Sequence, residues 1–150
     1  MNLVENIANI LKIVNRKSFI NAYALPQTNK KVAKLREVER VVKDSYKIDT
    51  KVIYISSKHK KLLINDAVRG YYNTKDDYAV VFVNDDYKQN VNTLCHELTH
   101  AYQNKHMHSK YIASTKALKE GRVSYAKAWH EVHAKTEANI MCNYFLSRVA

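Results

Sequence analysis

The sequence predicts an α+β fold, a small mixed sheet flanked by helices, and three observations support this class. Segments with helical periodicity occupy both ends of the chain, whereas β-branched and aromatic runs gather in its middle. The 150 residues include only two glycines and one proline, which disfavours a turn-rich β-sandwich. The apolar fraction of 46% and the length are typical of one folded domain, residues 1–150.

Two helices are predicted in the amino-terminal third. The first carries apolar residues at the spacing of a helix with one buried face: Leu3, Val4, Ile7, Ile10, Leu11 and Val14. Glu5 and four asparagines interrupt this segment, so it does not have the apolar core of a targeting sequence. After a loop at 24–28, residues 29–46 again place their apolar side chains on one stripe.

The middle of the chain is predicted to form the sheet. Residues 51–56 (KVIYIS) and 78–83 (YAVVFV) are rich in β-branched and aromatic side chains, which is typical of strands. One or two short strands are expected within 62–73, with a turn at Arg69-Gly70. Asp76-Asp77 marks the next turn.

Helices resume after the last strand. One helix is predicted over 86–106, and Asp86 with Gln89 resembles a capping box at its first turn. Gly121 is expected to separate a short helix from a long final helix over 122–148. The last strand therefore leads directly into a helix that carries the most informative motif of the chain.

This motif is the segment TLCHELTHAYQ, residues 93–103. On a helix, His96 and His100 lie about 40° apart around the axis and one turn removed, so both imidazoles can reach one metal ion. Glu97 lies between them, where it can take a proton from water, as in the HExxH motif of zinc hydrolases. A catalytic zinc needs three protein ligands, so a third ligand is expected elsewhere.

Several residues are candidates for the third ligand. His106 has the spacing of the metzincin signature, but that signature requires glycine where this chain has Gln103. His108 follows shortly after. The final helix offers His130, His133 and Glu137 on one stripe, whereas Glu131 lies about 120° from Glu137 and is expected to point elsewhere.

The combination of motifs resembles the ImmA/IrrE-type metallopeptidase domain, a gluzincin-like zincin. The resemblance extends over about residues 50–147 and depends on Gly70-Tyr-Tyr-Asn, the strand 79–84, the HELTH segment, and Glu137-Ala-Asn139 followed by Phe145-Leu146. The TLCHELTHA run is also similar to SprT-like proteases, in which His108 would correspond to the third-ligand segment.

The resemblance to the ImmA/IrrE type implies a zincin-like fold and a zinc-dependent peptidase. It makes Glu137 the third ligand beside His96 and His100, with Glu97 as the base. His133 lies one turn before Glu137, where it is expected to donate a hydrogen bond to the reacting oxygen or to orient the metal ligands. A protein substrate, such as a DNA-binding regulator, is implied.

The net charge of +11 allows an alternative function. A zincin-like scaffold without catalysis would bind nucleic acid or an acidic protein through its basic surface. Two cysteines without CxxC spacing favour a reduced, cytoplasmic setting, and no apolar run approaches the length of a membrane span.

Overall fold

The computed structural model describes residues 16–62 and 68–148. Within these ranges five α-helices surround a three-stranded mixed sheet, so the predicted α+β class is confirmed. The helices, in chain order, are α1 (Arg16–Tyr23), α2 (Lys30–Tyr46), α3 (Tyr87–His106), α4 (His108–Lys119) and α5 (Trp129–Leu146). The strands are β1 (Lys51–Ser56), β2 (Gly70–Asn73) and β3 (Tyr78–Val83), and single 3₁₀ segments span Ser57–Leu62 and Tyr125–Lys127.

Some sequence predictions fall outside the described residues. These are the apolar stripe over 3–14 and the part of the second strand region at 63–67. Among the described residues, no helix combines the length and apolar character that crossing a membrane requires.

Strand β3 forms the centre of the sheet. It pairs in parallel with β1 and antiparallel with β2. All six of its residues are buried, which explains why its sequence is a continuous apolar run and does not alternate with polar residues. Val81 and Val83 face the core under α2 and α3, whereas Val80 and Phe82 pack on the opposite face with Ile20 of α1.

The start of α3 is held tightly to the end of β3. The Asp86 side chain accepts the Gln89 backbone N–H at 3.1 Å, so Asp86 is the N-cap that the sequence predicts. The buried side chain of Asn90 donates to the Asn84 carbonyl at 2.9 Å and accepts the Asn84 N–H at 3.1 Å. These bonds fix the orientation of the HELTH segment relative to the sheet.

Gly70 is the first residue of β2 and does not lie in the predicted turn at Arg69-Gly70. A Cβ atom here would lie 2.7 Å from both the Val80 carbonyl oxygen and Thr93 Cγ2, and 3.4 Å from Glu97 Cγ. Glycine is therefore required for β2 to approach α3 this closely. This close approach brings the sheet edge next to the HELTH segment.

The last helix starts later than predicted. Gly121 has a φ of 73°, the segment after it makes one 3₁₀ turn, and the extended residue Ala128 precedes α5. The prediction of a helix from residue 122 is therefore wrong. From Trp129 onward, the small buried side chains of Ala134, Ala138 and Cys142 line the face that packs on α3, where small residues allow close approach.

Candidate metal centre

The two histidines of the HELTH segment lie on the same side of α3. Their ring centroids are 4.9 Å apart, as expected for residues one helical turn apart. His100 is buried, and the side chain of His96 is 20% exposed. Both Nε2 atoms face the first turn of α5.

Glu131 occupies that first turn and lies between the two rings. Its Oε2 atom is 3.1 Å from His96 Nε2, and its Oε1 atom is 3.2 Å from His100 Nε2. Tyr125 lines the same pocket as this carboxylate and helps to lower its pKa. The three side chains each contribute one potential ligand atom, and these atoms all lie within 4.8 Å of one another.

The structure thus corrects the expectation for α5, because Glu131 and not Glu137 meets the histidines. The two glutamates lie about 120° apart around the helix axis, so only one of them can face α3. Ala134 and Ala138 are buried against α3, and Glu131 lies on the same face of α5, nearer its start. Glu131 is therefore the glutamate that faces α3. Glu137 has a side chain that is 36% exposed, and its Oε1 atom is 3.9 Å from His133 Nε2.

His106 and His108, the alternative candidates, lie outside the cluster. His106 Nε2 is 2.9 Å from the Tyr46 carbonyl oxygen at the exposed end of α3. His108 begins α4, and its Nδ1 atom is 3.0 Å from the Asn104 carbonyl oxygen. Neither ring approaches the Glu131 carboxylate.

Gln103 is fully buried and connects the cluster to α5. Its Oε1 atom is 2.9 Å from His100 Nδ1, while its Nε2 atom donates to the His130 carbonyl at 3.0 Å and lies 2.8 Å from His133 Nδ1. The amide nitrogen thus faces two acceptors, which leaves the oxygen to accept the Nδ1–H of His100. This bond leaves the lone pair of His100 on Nε2, where it would face a metal ion held by the cluster.

His133 therefore does not have the position that the sequence predicts. Its Nδ1 atom is engaged by Gln103, and its ring stacks on Trp129 with a centroid separation of 5.3 Å and an interplanar angle of 7°. It is not among the residues that line the pocket at the cluster. A direct hydrogen bond from His133 to a reacting oxygen there is not supported by this geometry.

The charges of the cluster depend on one another. Burial opposes ionisation of Glu131, but hydrogen bonds from His100 and His96 hold the pKa of this carboxyl well below its usual range. Burial alone would lower the pKa of His100, yet the hydrogen bond that this ring donates to Glu131 and the charges of Glu97 and Glu131 raise it. The Glu131 carboxylate and the His100 ring thus each stabilise the charged form of the other.

Glu97 lies beside this ion pair and is buried. Burial raises the pKa of its carboxyl, and the neighbouring charges of His100 and His96 act against that rise. Its side chain lines both the pocket at the cluster and the groove next to Gly70. Glu97 is therefore placed to contact a molecule bound in either space.

Three cavities meet at the cluster. A pocket of about 240 Å³ is lined by Gly70, Tyr71, Tyr72, Glu97, His100, Tyr111, Tyr125, His130 and Glu131. A groove of about 380 Å³ runs along Val68, Arg69, Gly70, Asn92, Thr93, His96, Glu97 and Tyr125. A second groove of about 350 Å³ is lined by His96, Tyr125, Ala126, Glu131, Val132, Lys135 and Thr136. Tyr125 borders all three, and His96 borders both grooves, so the cluster is accessible from each of them.

The spacing of the donor atoms fits one small metal ion. In a tetrahedral site with bonds of about 2.0–2.1 Å, neighbouring ligand atoms are about 3.3 Å apart. The N–O separations of 3.1 and 3.2 Å, which involve the two different oxygens of Glu131, are close to this edge length. Two imidazoles and one carboxylate, with an adjacent pocket, form a candidate metal site of the open type.

Four residues complete the site in positions that the sequence does not predict: Glu131, expected to point elsewhere; His130, a candidate third ligand; Gln103; and Tyr125. A signal for Glu131 is present in the sequence, because it precedes Ala134 and Ala138 by three and seven residues and so shares their stripe of small residues. Gln103, His130 and Tyr125 carry no comparable signal, since their partners come from distant parts of the chain.

Comparisons with models of known protein families, with curated proteins and with solved structures give no match. The candidate metal centre therefore rests on the residues and geometry of this chain.

Proposed function

We propose that this protein is a zinc-dependent peptidase in which His96, His100 and Glu131 hold the metal ion. The observation that carries the proposal is the partly buried Glu131 carboxylate, which lies at ligand spacing from both histidines of an HExxH helix. Zinc is the ion best suited to two imidazoles and one carboxylate in a tetrahedral arrangement. Glu97, next to His96 in the sequence, lines the adjoining pocket as the base of such a site requires.

The reaction is hydrolysis of a peptide bond by water. Zinc, when bound, supplies a Lewis acid and lowers the pKa of water near it. The Glu97 carboxylate accepts a proton from water as the water oxygen bonds to the carbonyl carbon. Glu97 then gives a proton to the amide nitrogen, the C–N bond breaks, and a carboxylate and an amine leave.

The arrangement supports a gluzincin-like relationship over a SprT-like one. A carboxylate from a later helix completes the cluster, whereas His108 bonds to the α3 backbone. The glutamate differs from the one that the ImmA/IrrE resemblance implies, because Glu131 precedes the Glu-Ala-Asn run by six residues. The class of third ligand therefore agrees with that resemblance, and its position does not.

The substrate that we propose is an acidic segment of a protein chain. Grooves extend from His96 and Tyr125 on two sides, so an extended chain has room on both sides of the bond to be cleaved. Arg69 lines one groove and Lys135 the other, and the chain as a whole carries a net charge of +11. Positive charge on both sides of the site favours acidic side chains around the scissile bond.

Metal analysis and a base variant test the proposal. We expect one zinc per chain in the wild type and in His108→Ala, and loss of zinc in His100→Ala. Glu97→Gln should keep zinc and fold but lose peptide hydrolysis, since an amide cannot accept the proton of water. Stoichiometric zinc in His100→Ala would refute the metal site, and full activity in Glu97→Gln would refute the assigned base.

A further inference from the structure

His130 is a third histidine at the metal site, beside His96 and His100; the sequence makes it a candidate ligand, but it is not one of the three clustered ligand residues. The side chain is buried at the first turn of α5 and lines the 240 Å³ pocket together with Glu97 and His100. Its ring centroid is 5.6 Å from that of His100 and 5.9 Å from that of Tyr111.

Ser114 of α4 determines which nitrogen of His130 carries the hydrogen. The His130 backbone N–H donates to Ser114 Oγ at 3.1 Å, and Ser114 Oγ lies 2.7 Å from His130 Nδ1. Among the described residues, Ser114 Oγ has no other acceptor for its hydrogen, so the hydroxyl donates to Nδ1. A neutral ring that accepts at Nδ1 carries its hydrogen on Nε2.

The surroundings of Nε2 favour the same tautomer. His130 Nε2 lies 3.5 Å from Glu131 Oε1, and a lone pair there would face a carboxylate oxygen. An Nε2–H avoids that repulsion. At 3.5 Å the contact is longer than the 2.7–3.2 Å of a normal N–H···O bond, so the Nε2–H remains able to donate to another acceptor.

We propose that His130 is a further catalytic residue, whose Nε2–H donates a hydrogen bond to the carbonyl oxygen of the substrate as that oxygen gains negative charge. This inference rests on the proposed peptidase function. The donor points into the pocket that holds both Glu97 and the ligand His100, so an oxygen bound near the metal site lies within its reach. A donor that is fixed before the substrate arrives needs no reorganisation during the reaction, which is what makes such a bond effective.

His130 thus takes the role that sequence reasoning gives to His133. The difference between the two lies in their partners. Ser114 contacts Nδ1 of His130, which leaves its Nε2 on the side of the pocket. Gln103 and Trp129 contact His133 and hold it outside the pocket.

The first measurement concerns the tautomer and needs no activity. Long-range ¹H–¹⁵N NMR on the zinc-loaded full chain at pH 7 should show His130 as a neutral ring protonated at Nε2. Ser114→Ala should weaken this preference. The matched control Thr115→Ala, which removes the neighbouring hydroxyl that bonds only within α4 at the Ile112 carbonyl, should not. A ring protonated at Nδ1, or a charged ring, in the wild type would overturn the proposal.

The second measurement is turnover of quenched fluorescent peptides of randomised sequence. His130→Leu should keep one zinc per chain but lower kcat by about 10²–10³, the loss that follows removal of one such donor, with little change in KM. His130→Gln keeps an N–H donor near the position of Nε2 and should recover part of this loss.

These outcomes separate the two proposals. Wild-type turnover in His130→Leu would refute the role of His130 and leave the peptidase function standing. No cleavage by the zinc-loaded wild type would refute the peptidase function itself, together with the role of His130.

Discussion

Replacing Glu131 and, separately, Glu137 by glutamine tests which of the two is the third metal ligand. The structure indicates Glu131, whereas the sequence predicts Glu137. Each change replaces a carboxylate by an amide of the same shape, so packing is preserved. In Glu131→Gln a neutral oxygen replaces an anionic ligand at 3.1 and 3.2 Å from the two histidine nitrogens. In Glu137→Gln the change affects only a half-exposed group 3.9 Å from His133.

The expected magnitudes differ widely. Loss of a residue that merely supports a ligand costs about 10- to 100-fold in metal affinity, and loss of a ligand should cost more than that. We therefore expect Glu131→Gln to weaken zinc binding by more than about 100-fold, which corresponds to about 2.7 kcal/mol. Exposed ion pairs contribute only about 0–1 kcal/mol, and Glu137 is no ligand in this structure, so Glu137→Gln should leave affinity nearly unchanged.

Competition with a chromophoric chelator at pH 7 gives both affinities. Circular dichroism of the metal-free variants shows whether each remains folded. If Glu137→Gln loses zinc while Glu131→Gln retains wild-type affinity, the third ligand is Glu137 and the assignment made from the structure is wrong.

Three further predictions concern the support of the site and the core. Gln103→Leu should weaken zinc binding about 10- to 100-fold, because His100 loses the acceptor that orients its ring. Gln103→Glu keeps an acceptor oxygen and should retain zinc affinity. Chelator competition measures both affinities, and equal values in the two variants would contradict this role of Gln103. Gly70→Ala should lower the free energy of unfolding by about 1–3 kcal/mol in urea titrations, since its Cβ would lie 2.7 Å from the Val80 backbone oxygen; unchanged stability would show that β2 can move. Burial raises the pKa of the Cys95 thiol from 9.0 to about 12, so this group stabilises the fold below pH 9 and loses that contribution as pH rises toward 12. Urea unfolding should therefore show stability falling above pH 9, and less steeply in Cys95→Ala; identical slopes would contradict it.

Local patterns in the sequence were sufficient for most of the fold. Strands β1 and β3 match the predicted bounds, because β-branched and aromatic residues in a short run favour a strand wherever it is placed. The N-cap at Asp86 is likewise a local interaction between a side chain and the backbone three residues on. The predicted start of the last helix at residue 122 was wrong, because no glycine or proline after Gly121 marks the 3₁₀ turn that precedes the helix.

The sequence by itself determined that His96, Glu97 and His100 share one region of a helix, because the 3.6-residue period fixes their relative directions whatever surrounds them. It also determined that only one of Glu131 and Glu137 can face that helix. Which of the two does so was decided by the tertiary structure, through the packing of Ala134 and Ala138 on α3. Rotation of α5 about its axis depends on all its contacts together, so the stripe of small residues in its own sequence indicates the buried face but does not by itself fix the rotation.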